Sequence, residues 1–265
     1  MYINLNGDLV NKEQFEIDIS NRSFQYGDGL FETIIAKDGD IRLLPYHVER
    51  LVNGLNALHI NHNFTTTNIE GYIQQLLSKN KLSNARIKLQ VWRSDGGLYT
   101  PSNNVVKFLI IALPHELNQK KIDRCTFSVQ ITISYNSISK YKTCNSLPYI
   151  LAALERDSKN LDEIIILNNE GHIAECSSSN IFWYKEGVYY TPSIQTGCIE
   201  GVMRKHVLSI AKKHQLIIKE GKYNKEDLLS AESAFTTNAT GCTAIQNIDS
   251  KVFNTNIPII PLLGL

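Results

Sequence analysis

The chain has 265 residues, 43% of them apolar and 20% charged, and its 27 Lys plus Arg nearly balance 26 Asp plus Glu, for a formal charge of +1. This is an ordinary globular profile with length enough for two compact subdomains. It lacks the clustered positive charge that holds nucleic acid or an anionic membrane, so a small-molecule partner is expected.

The N-terminal stretch MYINLNGDLVNKEQFEIDIS has no basic start followed by an apolar core, so no secretory signal is expected. No apolar run reaches the length of a bilayer span. The five cysteines (Cys125, Cys144, Cys176, Cys198, Cys242) are odd in number and contain no Cys-x-x-Cys pair, which argues against a disulfide framework and a structural zinc site. A reduced, cytoplasmic setting is the expectation.

Leu44 to Leu58 sets Val48, Leu51, Val52, Leu55 and Leu58 at helical spacing, with Pro45 suited to the first turn. A second helix is predicted from about Asn68 to Ser78, with Ile69, Tyr72, Ile73, Leu76 and Leu77 on one stripe and a capping box from Thr67 to Glu70. Both stripes need a sheet to cover. RIKLQVWR (Arg86 to Arg93) alternates apolar and polar residues, and VVKFLIIAL (Val105 to Leu113) is a continuous apolar run that suits a strand buried on both faces. Pro114 to Arg124 reads as a crossover linker. Beyond it FSVQITISY, EIIIL, NIFWY and GVYYTP predict strands, and the segments from near Asn145 and Gly201 predict helices. The alternation implies an α/β (α+β) chain of two subdomains, 1–118 and 119–265, with a ligand cleft expected between them.

Chemistry-bearing residues concentrate in the second half. Lys142 stands just ahead of an apolar helix, where burial disfavours a charged amine and eases attack on a carbonyl. Asn168-Asn169-Glu170-Gly171 predicts a tight hairpin, and Glu175 ends the returning strand just before three serines and Asn180. Gly197 and Gly201 bracket a turn before a helix that begins at Val202, and the backbone N–H groups of a helix start form an anion site. The polar turn TTNATG (Thr236 to Gly241) offers further donors. Arg50 lies off the apolar stripe of its helix, one turn from His47, and offers a cation. Taken one at a time, each of these features is more often plain structure.

Their order changes the odds. FQYGDGLFET, HVERL, RSDGGLY, YKTCNSL, ECSSSNIFW, YTP and GCIEGVMR together resemble the class IV aminotransferase family, which includes branched-chain and D-amino-acid aminotransferases and aminodeoxychorismate lyase. The resemblance runs from about Tyr2 to Ile248 and implies a fold type IV enzyme: an N-terminal α/β sandwich and a C-terminal barrel-like α/β subdomain that binds pyridoxal 5'-phosphate. It implies that Lys142 is the Schiff-base lysine and proton carrier, that Glu175 pairs with the pyridine nitrogen, and that Arg50 binds the phosphate. Gly201, Val202 and Met203 match the phosphate-binding helix start, Ile199 the residue packed on the ring, and Ser179, Asn180, Asn238, Ala239 and Thr240 the remaining cofactor contacts. Met203 stands where many relatives have a threonine, which shifts the phosphate toward backbone amides and the Thr236 to Thr240 turn.

Arg93, at the end of an alternating strand beside a double glycine, is the candidate for the substrate α-carboxylate, and Tyr26, Phe31 and Tyr99 are the other substrate-facing candidates. The resemblance further implies amino-acid and keto-acid substrates and a homodimer. Branched-chain enzymes carry a tyrosine five residues beyond the lysine, where this chain has Leu147, and Asn145 at the third position looks like the D-amino-acid enzymes and the lyase. Leu98 replaces an arginine of the lyase loop. An aminotransferase is the leading reading and a lyase that releases pyruvate the alternative; a cofactor-binding relative without turnover and a thiol or metal site built on Cys144, Cys176, Cys198 or Cys242 are the readings from other classes.

Overall fold

In the computed structural model the described residues are 1–116 and 121–264. They fall into two compact units, Met1–Leu117 with Tyr141–Asn145, and Asn118–Lys140 with Ser146–Leu265. The segment that carries Lys142 thus groups with the first unit, although it lies beyond residue 118. Part of the linker expected over Pro114 to Arg124, residues 117–120, lies outside the described residues.

Unit 1 is built from β1 (Tyr2–Leu5), β2 (Asp8–Asn11), α1 (Arg22–Tyr26), β3 (Gly29–Lys37), β4 (Asp40–Ile41), α2 (Leu44–Ala57), α3 (Thr66–Asn80), β5 (Ala85–Arg93) and β6 (Val106–Pro114). Its strands pair antiparallel in the order β2-β1-β6-β5-β3-β4. The stripes of α2 and α3 do cover this sheet: Leu51, Leu55, Ile69, Ile73 and Leu76 pack with Leu30, Ile34, Ile87, Leu89 and Ile110 in one cluster. Each such side chain contributes roughly 1.5–3 kcal/mol on burial, which outweighs helix propensity in holding both helices. The capping box lies two residues earlier than expected. Asn68 N–H donates to Thr65 Oγ1 at 3.2 Å and Thr65 N–H to Asn68 Oδ1 at 2.9 Å, because Thr65 has the extended backbone an N-cap requires. In β6 only the centre, Phe108 to Ile110, is buried on both faces; Val105 and Leu113 are exposed.

Unit 2 contains β7 (Cys125–Ile133), α4 (Leu147–Ser158), β8 (Glu163–Asn168), β9 (Ile173–Cys176), β10 (Asn180–Lys185), β11 (Val188–Pro192), α5 (Val202–Lys213), β12 (Ile218–Gly221), α6 (Lys225–Leu229), β13 (Ser233–Asn238), β14 (Gly241–Ile245), β15 (Asn247–Ile248) and β16 (Lys251–Val252). Two five-stranded sheets form, in the orders β12-β11-β10-β13-β14 and β16-β15-β7-β8-β9. They share a core of Phe127, Ile165 and Ile173 from one and Ile181, Trp183 and Ile245 from the other, giving a half-barrel. Outside it, α4 covers one sheet through Ala152 against Ile164 and Ile166, and α5 covers the other through Val207 and Ala211 against Phe182 and Phe235. The C-terminal residues Ile257, Ile259 and Leu263 join the α5 cluster, and the Leu263 carbonyl lies 3.1 Å from His206 Nε2. Among the described residues no helix is long and apolar enough to cross a membrane.

Candidate active site

In unit 1 the lysine segment is laced to the start of β3. Phe31 N–H donates to the Lys142 carbonyl and Cys144 N–H to the Gly29 carbonyl, each at 2.9 Å. Tyr141 packs on the unit 1 core beside Gly54. At the far end Asn145 lies against Gly27, where an added Cβ would meet Asn145 Oδ1 at 2.5 Å and where φ is +66°. These contacts hold Lys142 Nζ 4.6 Å from the centre of the Phe31 ring. Lys88 Nζ approaches the same ring at 5.1 Å, so two amines lie near Phe31.

The neighbour of Phe31 in β3, Glu32, points to the opposite side of the sheet and is fully buried. Its carboxylate takes Arg50 Nε at 2.8 Å and stands 2.7 Å from His47 Nδ1. Burial alone would raise the Glu32 carboxyl, but the charge of Arg50 and the hydrogen bonds from His47 and Arg50 outweigh it and hold the group down to about 2. His47 is pushed down by burial despite Glu32. Arg50, expected at a phosphate, therefore has one edge of its guanidinium docked on a carboxylate of its own unit.

Arg93, the candidate for the substrate α-carboxylate, has its partners within unit 1. It is buried, and all five of its N–H groups have acceptors: Nε and Nη2 on Asp28 at 2.9 and 3.4 Å, Nη2 also on the Leu58 carbonyl at 2.7 Å, and Nη1 on the His59 carbonyl at 3.2 Å and on Asn104. A substrate carboxylate at Arg93 would have to displace one of these partners. Asp28 also accepts Arg22 Nε at 2.8 Å, and although burial opposes it, the two guanidiniums keep its carboxyl below the usual range. Tyr26 and Tyr99 come together with ring centres 5.7 Å apart, Tyr99 being 90% exposed.

Unit 2 gathers most of the cofactor candidates. Glu175, at the end of β9, is buried and its Oε1 accepts from Tyr149 Oη at 2.7 Å and from the Ile199 N–H at 3.0 Å. Asn180 Nδ2 stands 3.4 Å from Glu175 Oε2 and donates to the Ile199 carbonyl at 2.8 Å. Gly201 is the N-cap of α5 and no side chain caps that helix, so the amides of Val202 and Met203 open it. An added Cβ on Gly201 would meet Asn180 Oδ1 at 1.9 Å. The side chains of Val202 and Met203 are buried, leaving the backbone as their means of holding an anion.

Asn238, Ala239 and Thr240 form the turn between β13 and β14, and Asn238 Oδ1 takes both the N–H and the hydroxyl of Thr240, at 2.9 and 2.6 Å. The preceding Thr237, in register with Asn180, has a buried hydroxyl with no hydrogen-bond partner among the described residues, which fits a ligand bearing acceptor oxygens. Ser179 behaves otherwise. Its hydroxyl donates to Glu163 Oε2 at 3.1 Å, and Ser177 donates to Oε1 of the same buried carboxylate at 2.5 Å, so Glu163 pins the serine turn between Glu175 and Asn180.

Residues 29–248 match the family model described as Amino-transferase class IV. The chain belongs to the class IV aminotransferase family. It is 30% identical to the aminodeoxychorismate lyase of Bacillus subtilis (strain 168) over 244 residues, covering 89% of this chain and 83% of that one. It is 26% identical to the D-alanine aminotransferase of Listeria monocytogenes serotype 1/2a (strain 10403S) over 259 residues, covering 94% and 88%. The crystal structure of the branched-chain aminotransferase from the thermophilic archaeon Thermoproteus uzoniensis with norvaline superposes with a TM-score of 0.90 at 25% identity, covering 100% of this chain and 92% of that one.

Within this class IV aminotransferase the sequence reading missed Tyr149, Glu163 and Arg22. Tyr149 carried the one available signal, a tyrosine near the start of the helix after Lys142, but its pairing with Glu175 spans 26 positions. The cysteines are free thiols, with Cys125, Cys176 and Cys198 buried. Burial pushes the Cys198 thiol up to about 12 and Cys176 well above its usual value, the opposite of what a thiolate nucleophile needs. Among the described residues no three His, Cys, Asp or Glu side chains are grouped to hold a metal ion.

Proposed function

We propose that the chain moves an amino group between an amino acid and a 2-keto acid with pyridoxal 5'-phosphate as cofactor. The buried Glu175 carboxylate, held by Tyr149 and the Ile199 amide beside an uncapped helix start, carries the reading. When bound, the cofactor supplies an aldehyde that takes up the amine and a ring that withdraws electrons from the substrate α-carbon. Lys142 Nζ would hold the cofactor at its aldehyde and would carry the proton at the substrate α-carbon. Phe31 lies against that amine, its ring centre 4.6 Å away. The Glu175 carboxylate would keep the ring nitrogen protonated, and Ile199 would pack on the ring. In unit 2 the Val202 and Met203 amides, Thr237 and the Asn238 to Thr240 turn would hold the phosphate, and Arg50 is the cation proposed for it from unit 1. Tyr26 and Tyr99 would present hydroxyls to the substrate carboxylate, while Arg93 holds Asp28, two residues beyond Tyr26.

A homodimer is part of the same reading. Leu147, Ile150, Leu151 and Leu154 lie at i, i+3, i+4 and i+7 on α4 and are 70, 51, 47 and 59% exposed, an apolar stripe of the kind a second copy covers.

The lyase alternative draws on ECSSSNIFW and GVMR. Against it stands Leu98, apolar and 77% exposed, at the tip of the RSDGGLYTP loop, where a dicarboxylate substrate needs a cation. The purified protein, supplied with pyridoxal phosphate and reduced with borohydride, is expected to carry the adduct on Lys142 and to convert L- or D-amino acids only when a keto acid is present. An adduct elsewhere removes the assignment of Lys142, and pyruvate release from aminodeoxychorismate without an amino acceptor replaces the transaminase by the lyase.

A further inference from the structure

We propose that Tyr149 is a positioning residue that fixes the Glu175 carboxylate for the ring nitrogen of the cofactor, an inference that rests on the reading of Glu175 given above. Leu147 occupies the position five residues beyond Lys142 and is exposed on α4. Tyr149 follows two residues later, about 200° around the helix, and faces inward. Its ring joins the cluster of Ile133, Ala152, Ile164, Ile166, Ala174 and Cys198, so the hydroxyl is delivered by a packed side chain with little freedom left.

From there Oη donates to Glu175 Oε1 at 2.7 Å, and the Ile199 N–H donates to the same oxygen at 3.0 Å. Two donors from separate elements on one oxygen set the plane of the carboxylate as well as its place. Asn180 Nδ2 at 3.4 Å from Oε2 adds a third, weaker restraint. Hydrogen bonds to an ionised carboxylate are about twice as strong as neutral ones, so the hydroxyl also favours the charged form of Glu175. Burial first, and then the charge of Glu175, push the Tyr149 phenol above its usual range, so it remains a donor at any working pH. The nearby thiols of Cys198 and Cys176 are likewise raised and neutral, and do not compete as anions.

Tyr149→Phe keeps the packed ring and removes only the donor. The readout is the dissociation constant of the holoenzyme for pyridoxal phosphate and for its 1-deaza analogue, which has carbon in place of the ring nitrogen. The variant is expected to bind pyridoxal phosphate roughly tenfold more weakly, the loss typical of a charged hydrogen bond, with the analogue's affinity unchanged. Equal weakening for both cofactors marks a merely structural role and overturns the proposal, as does no weakening at all. In a Glu175→Gln background the same change is expected to add nothing, and a further independent tenfold loss also overturns it. If the unaltered protein binds the two cofactors equally tightly, it is the reading of Glu175 itself that has failed, and the role of Tyr149 falls with it.

Discussion

Arg22 Nη1 donates to the Leu98 carbonyl at 2.6 Å, and also reaches the carbonyls of Gly96 and Gly97 at 3.1 and 3.2 Å. A buried side chain thereby holds the shape of an exposed loop tip. The loop closes on itself: Gly97 has φ +75°, and a Cβ there would meet the Thr100 carbonyl oxygen at 2.2 Å. Because Asp28 bridges Arg22 to Arg93, the loop is tied through two guanidiniums to the end of β5.

Replacing Arg22 by Ala is therefore expected to cost about 3 kcal/mol, the range for removing one partner of a buried ion pair. Urea unfolding measures the cost, and hydrogen exchange at Gly96 to Leu98 is expected to rise in the same variant. Arg22→Lys is expected to recover little, because an ammonium cannot serve Asp28 and the loop carbonyls together.

The Glu32 cluster predicts acid sensitivity in unit 1. Its folded carboxyl is held at about 2, below the ordinary 4.5, so its stabilisation is fully present above pH 4.5 and is lost as pH falls toward 2. His47, pushed below 6.5, acts in the same direction, since the unfolded chain takes up its proton first as pH falls. Glu32→Gln is expected to cost about 3–5 kcal/mol at neutral pH by leaving Arg50 without its carboxylate, and to flatten the loss between pH 4.5 and 2. Urea midpoints measured across that range check both.

Gly201→Ala isolates the contact between Asn180 and the start of α5. The backbone there has φ of −63°, ordinary for alanine, so any effect comes from the Cβ that would stand 1.9 Å from Asn180 Oδ1. Asn180 must move off the Ile199 carbonyl. A tenfold or greater loss of pyridoxal phosphate affinity is expected in an absorbance titration, at a stability cost of about 1 kcal/mol for the hydrogen bond. Unchanged affinity would show that Asn180 has no part in holding the cofactor.

Charging the exposed stripe of α4 tests the homodimer. Leu151→Glu with Leu154→Glu places two carboxylates in a face that is apolar over two turns. Sedimentation is expected to show a dimer for the unaltered chain and a monomer for the variant, with the same circular dichroism. A monomer in both would remove the second copy as the occupant of that face.

The sequence alone determined the features that depend on near neighbours in the chain. Apolar residues three and four apart specified α2 and the body of α3, alternation specified β5, and Asn168 to Gly171 specified the hairpin that returns the chain to Glu175. Ordered motifs specified the family, since so many residue types at fixed spacings rarely coincide. Only the tertiary structure decided how charged side chains are used. Arg93, Arg50 and Tyr149 find their acceptors 65, 18 and 26 positions away, and nothing local marks an arginine as spent on Asp28. Nor did local pattern reveal that Lys142 groups with unit 1, which follows from backbone hydrogen bonds to Gly29 and Phe31 more than a hundred residues earlier. The physical reason is common to these cases: periodicity records which face of an element is apolar, whereas a buried polar group must find a partner wherever the folded chain brings one.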